Sequence, residues 1–102
     1  MPTSDRAIRR LTYELAAAKS LGYSGLKLIH GYGSSGKGGV IRNEVRNYLL
    51  RQHHAGKIQA FIGGERLSIF DEDTRIAMEI CPELRRDSDL DRHNNGITVV
   101  IL

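Results

Sequence analysis

The chain has 102 residues, 40% of them apolar and 26% charged, and a formal net charge of +3. That length holds one domain with a single modest core, and the composition is that of a soluble globular protein. No apolar run approaches the roughly 20 residues of a membrane span, Met1–Arg6 lacks a signal-peptide core, and the lone Cys81 excludes an internal disulfide. The expectation is one cytoplasmic domain over residues 1–102. The charge is unevenly spread. Residues 1–66 carry eleven Lys and Arg against four Asp and Glu, a net +7, and residues 67–102 carry four against eight, a net −4. A basic first part attracts polyanions through counterion release.

Ile8, Leu11, Leu15, Ala18 and Leu21 recur at helical spacing and predict a helix over about residues 5–21, capped by Ser4 or Asp5 and stopped by Gly22. Arg6, Arg9 and Arg10 sit in its first turns, where the helix dipole does not favour cations. Leu26–Ile29 reads as a short strand. Ile41, Val45, Tyr48 and Leu49 predict a second helix over about 40–53, with Arg42, Asn43, Arg46 and Asn47 on its other side and Gly56 at its end. Ile58–Ile62 reads as a second strand closed by Gly63-Gly64. Residues 65–93 form an irregular acidic excursion, in which Asp71 caps a short helix through Ile76, Met78 and Ile80 and residues 82–93 are an exposed loop. Ile97–Leu102, after the turn Asn94-Asn95-Gly96, is the clearest strand. Helices alternating with apolar strands imply an α/β layer with some parallel pairing, and so small a sheet leaves an open edge.

The most informative stretch runs from Leu26 to Arg42. An apolar strand ends in His30, and a loop with Gly31, Gly33, Gly36, Gly38, Gly39 and Lys37 leads into the second helix. Such a turn frees backbone N–H groups and aims a positive helix end at a phosphate. Gly31-x-x-x-x-Gly36-Lys37-Gly38 nearly matches the nucleotide-binding P-loop. However, that motif needs a Ser or Thr hydroxyl for magnesium where this chain has Gly38, and the last strand supplies no acid for the ion.

A different likeness fits more of the chain. Leu28-Ile29-His30-Gly31-Tyr32-Gly33, the glycine loop, Val40-Ile41-Arg42, Phe61 at the end of a strand and Gly96-Ile97-Thr98-Val99-Val100-Ile101-Leu102 together resemble the Smr (small MutS-related) domain. The likeness covers about residues 8–63 and 95–102. It implies a two-layer α/β sandwich of βαβαββ type. The chain would be a truncated form, with a small mixed sheet of three to four strands and helices packed on it. It also implies binding of DNA or RNA and, in several family members, endonuclease cleavage. The family's opening strand of Leu-Asp-Leu-His-Gly type, whose Asp and His are thought to join the active site, has no counterpart in these residues.

The candidate site follows. His30 is the tentative catalytic residue. Gly31, Tyr32, Gly33, Gly36, Lys37, Gly38, Arg42 and Arg46 are the candidate phosphate or nucleic-acid contacts, with Tyr32 also able to stack on a base. Arg42 can grip two phosphate oxygens with its fork. No resident metal or cofactor is expected, a divalent ion entering only if the chain is a nuclease. His53-His54 reads as a helix end, since neighbours on a helix do not share a face. Cys81 reads as half-buried packing. Asp87-x-Asp89-x-Asp91 opens like a calcium loop but lacks the later glycine and glutamate. The leading function is nucleic-acid binding; the alternatives are an endonuclease and a protein-interaction or homodimerisation module using the open sheet edge, with no membrane partner.

Overall fold

In a computed structural model of the chain, residues 2–31 and 38–102 are described, residues 2–4 through their backbone alone. The elements are α1 (Pro2–Ser20), β1 (Gly25–Ile29), α2 (Gly38–His54), β2 (Ala60–Gly63), a 3-10 turn (Gly64–Arg66), α3 (Glu72–Ile80), a second 3-10 turn (Pro82–Arg86) and β3 (Ile97–Ile101). Helix α1 begins at Pro2, so Ser4 and Asp5 lie in its first turn rather than capping it. A proline fits there because the first helical N–H groups need no intrahelical partner.

Both long helices end in the same way. Gly22 and Gly56 have φ of 80° and 74°. Around them Tyr23 N–H donates to Ala18 O and Gly22 N–H to Lys19 O, and Lys57 N–H donates to Gln52 O and Gly56 N–H to His53 O. These are paired 6→1 and 5→2 closures that only a residue tolerant of positive φ makes cheaply.

The sheet order is β1-β3-β2. Both outer strands run antiparallel to β3, with Leu26 opposite Val100 and Leu28 opposite Thr98 on one side, and Ile62 opposite Val99 on the other. The expected parallel pairing is therefore absent among the described strands. β1 and β2 do point the same way, as the strand–helix–strand pattern implies, but β3 lies between them. All five β3 residues are buried, which is what an apolar run without alternation signals.

Side-chain alternation along the strands divides the core in two. Leu26, Leu28, Phe61 and Val100 meet Leu11, Leu15, Val45 and Leu49 under α1 and α2. Ile62, Ile97, Val99 and Ile101 meet Leu67, Ala77, Met78 and Leu84 on the opposite face. The sheet is thus covered on both faces, and the two-layer expectation gains a small third layer.

That layer comes from the segment read as irregular. Asp71 caps α3 as expected, its carboxylate accepting the Thr74 N–H at 2.9 Å. Residues 82–93 differ from the expected exposed loop. Pro82–Arg86 form a 3-10 turn that buries Leu84, and Leu90 packs on the core. Asp87 and Asp89 both take the Lys27 ammonium on β1, Asp87 at 3.0 Å. Burial opposes the charge on Lys27, but these two carboxylates outweigh it and raise its pKa. Leu21, counted in the apolar stripe of α1, lies beyond the helix and is exposed. Cys81 is half-buried against the α3 core, as read from the sequence.

Candidate nucleic-acid interface

His30 follows β1 directly, where the strand ends at the glycine loop. Its own N–H and that of Gly31 both donate to Gly96 O, at 3.1 and 2.9 Å. Gly31 turns the chain with φ of 77°, a conformation that suits glycine. The imidazole Nδ1 lies 2.8 Å from Gly31 O and Nε2 lies 2.8 Å from Thr98 Oγ1. A carbonyl only accepts, so Nδ1 carries the proton. Nε2 then accepts from the Thr98 hydroxyl.

Thr98 Oγ1 in turn accepts the Arg46 Nε–H at 3.3 Å. The two terminal nitrogens of Arg46 grip both oxygens of Glu65, at 2.7 and 2.8 Å, in the bidentate geometry that makes such pairs strong. Arg46 therefore donates both to Glu65 and into a chain that runs through Thr98 and His30 to Gly31 O. The network ties together α2, β3, β1 and the first 3-10 turn. Gly63 makes room for it: a Cβ there would stand 2.7 Å from Glu65 Oε1 and 2.8 Å from Arg46 Nη2.

The electrostatics follow from this arrangement. Burial lowers the His30 pKa below its usual 6.5, and the nearby charges of Arg46 and Arg42 push the same way against the Gly31 hydrogen bond. The ring is neutral at pH 7. Burial raises the pKa of Glu65, but the hydrogen bonds from Arg46 overcome it and hold the carboxyl below 4.5. Among the described residues no three His, Cys, Asp and Glu side chains converge as a metal site.

The structure brings His30, Gly31 and Arg46 together, with Arg42 close enough for its charge to act on His30 and Glu65. Gly38 opens α2. Tyr32, Gly33, Gly36 and Lys37 lie outside the described residues. Arg46, expected as a phosphate contact, has its fork on Glu65. Two members of the network escaped sequence reading. Thr98 is the one polar side chain in the run Ile97–Leu102, and Glu65 is the first acid after the Gly63-Gly64 pair. Those are the signals that mark them.

The arrangement defines a small α/β domain in which a histidine–glycine strand end meets a basic helix. The chain belongs to the Smr domain family, whose family model matches residues 1–65. The match takes in α1, β1, α2 and β2 and stops at Glu65, so Thr98 and the central strand lie beyond it. Smr domains are generally nucleic-acid binding or nuclease-like. No curated protein and no solved structure matches the chain significantly. No described helix is long and apolar enough to cross a membrane.

Proposed function

We propose that this chain binds DNA or RNA, with a backbone phosphate held where His30 and Gly31 meet the start of α2. The observation that carries the reading is the site itself: a neutral histidine at a strand end, fixed by Thr98, beside the Arg42 charge. Family membership supports the same reading. The glycine loop supplies close backbone approach, and the N-terminus of α2 favours an anion. Lys37 and Arg42 supply charge. Arg46 reaches a phosphate only by giving up Glu65, so its part in the bound form is to orient Thr98 and His30.

The charge distribution favours the same face. Arg6, Arg9 and Arg10 are exposed on α1, whereas on and around α3 beyond the sheet Asp71, Glu72, Asp73, Glu79 and Glu83 outnumber Arg75, Arg85 and Arg86. A polyanion is attracted to the first face and repelled by the second.

Mobility-shift titration at several salt concentrations tests the reading. Affinity should fall as salt rises, and Lys37→Ala and Arg42→Ala should each weaken binding and flatten the slope by about one unit. Binding that is undetectable or independent of salt would overturn it. An endonuclease is the second reading, favoured by the family and by a histidine at the phosphate seat. Its test is plasmid nicking and RNA cleavage, with and without a divalent metal, against His30→Ala.

A further inference from the structure

Helices α1 and α2 lie side by side and run the same way. Ala7 and Leu11 of α1 line one cleft with Ile41 and Val45 of α2 and with His30. Further along, the Thr12 and Tyr48 hydroxyls meet at 2.8 Å, and near the far ends the Lys19 ammonium donates to Lys57 O. The first turns of α1 therefore stand beside the start of α2 and the phosphate seat.

Leu11, Leu15 and Ala18 are buried against the core, which makes the opposite arc of α1 the outward one. At about 100° per residue, Arg6, Arg9, Arg10 and Tyr13 fall within roughly 100° of the helix circumference on that arc. All four are exposed, Tyr13 at 72%. Tyr13 follows Arg9 by four residues and Arg10 by three, so it neighbours both on the helix surface. Asp5 and Glu14 flank the arc, one on each side, and the arc itself carries three positive charges and no negative one.

The fold makes little use of these groups. Among the described residues Arg6 and Arg9 enter no ion pair. Arg10 has only Glu14, at 3.9 Å, an exposed pair of a kind that contributes little. The Arg–Tyr contact among the described residues lies elsewhere, Arg51 over Tyr48, so the Tyr13 ring is left uncovered.

We propose that this outward face of α1 is a second contact surface for the nucleic acid held at the seat, its arginines taking phosphates and Tyr13 stacking on a base of the same strand. The proposal rests on the nucleic-acid reading above. Cations interleaved with an exposed aromatic match the two repeating parts of that ligand: a guanidinium fork for a phosphate and a flat ring for a base. From Arg6 to Tyr13 the arc runs about 10 Å along the helix axis. It begins beside the seat, so it lengthens the site along the strand.

The test is fluorescence anisotropy with two labelled single strands, a trinucleotide that reaches only the seat and a dodecanucleotide. The double variant Arg6→Ala with Arg9→Ala should weaken binding of the longer strand and flatten its salt slope by about 1.4 units, two single-strand phosphate contacts. Tyr13→Ala should weaken binding of the longer strand about tenfold, and Tyr13→Phe should restore it. The trinucleotide should bind all these variants as it binds the parent. Unfolding midpoints should stay at the parent value, because the replaced groups are exposed. Either the double variant or Tyr13→Ala holding the dodecanucleotide as the parent does, while Arg42→Ala weakens it, would overturn the proposal and leave nucleic-acid binding intact. An equal loss for both lengths would place the arginines in the seat itself and overturn it too. Absence of salt-dependent binding to either strand would overturn the underlying reading as well. A dimer in light scattering that Tyr13→Ala abolishes would show a second copy on this face, and would also overturn the proposal.

Discussion

Replacing Thr98 with valine removes one oxygen from the middle of the site and leaves its shape almost unchanged. Thr98 is fully buried. Its hydroxyl donates to His30 Nε2 at 2.8 Å and accepts from Arg46 Nε at 3.3 Å. Loss of the shorter bond leaves a half-buried ring nitrogen without its partner, at a cost of about 1–3 kcal/mol. The long Arg46 contact adds little, because that guanidinium keeps Glu65. The added methyl returns about 0.8 kcal/mol. The net loss is about 1 kcal/mol, a fall in Tm of about 4–8 °C for a domain of this size. Thermal and urea unfolding measure it, and an unchanged urea m-value would show that only stability moved. A second readout is the His30 titration followed by NMR. The Thr98 hydroxyl donates only to the neutral ring, so its removal should raise the His30 pKa toward 6.5, and Thr98→Ser should restore it. A valine variant that melts within about 2 °C of the parent, with His30 titrating as before, would refute the network.

Gly64→Ala should be among the most damaging single changes. A Cβ there would overlap the Asn94 carbonyl oxygen and stand 2.7 Å from Ile97 Cγ1, a clash with backbone and buried core worth about 3 kcal/mol or more. Gly22→Ala, which meets open space at φ of 80°, should cost only about 1 kcal/mol; urea unfolding compares the two. Stability should fall with acid in two steps. The folded pKa of His30 lies below 6.5, so the unfolded chain takes up the proton first and stability declines as pH drops from about 6.5 toward the folded value. The folded pKa of Glu65 lies below 4.5, so its contribution is intact above about 4.5 and is lost as pH falls through that folded value. His30→Gln should flatten the first step and Glu65→Gln the second in a pH series of urea midpoints.

What the sequence makes legible is local. The periodicity of Leu11, Leu15 and Ala18, the glycines that end both long helices and the Asp71 cap are written into neighbouring residues, and the structure bears them out. The pairing of β3 is not local. Its apolar run announces a strand buried on both faces, but nothing in it states that it inserts between β1 and β2, so a strand–helix–strand pattern reads as parallel neighbours. The third layer was hidden for a similar reason. Asp87 and Asp89 look solvated until Lys27, sixty positions before Asp87, supplies their partner. The site divides in the same way. His30 and Gly31 stand in one recognisable stretch, whereas Thr98 and Glu65 acquire meaning only when the sheet carries them to His30 and Arg46.

The same network bears on whether the chain cuts what it binds. A general base needs a free lone pair within reach of the proton it removes. In His30 the Nδ1 proton is given to Gly31 O, and the Nε2 lone pair is filled by Thr98. The low pKa keeps the ring neutral, as a base requires, yet also makes it a weak one. For water activation the Thr98 hydroxyl would have to turn from Nε2. Its other contact, Arg46 Nε–H, is itself a donor, so the freed proton has no acceptor in that pair. The ground state is therefore that of a ring held in place with neither nitrogen free. The expected outcome is that the purified chain nicks plasmid no faster than His30→Ala, while His30→Ala weakens oligonucleotide binding. Cleavage that disappears in His30→Ala and rises in Thr98→Val, where Nε2 is released, would reverse this conclusion and make Thr98 the restraint on a latent nuclease.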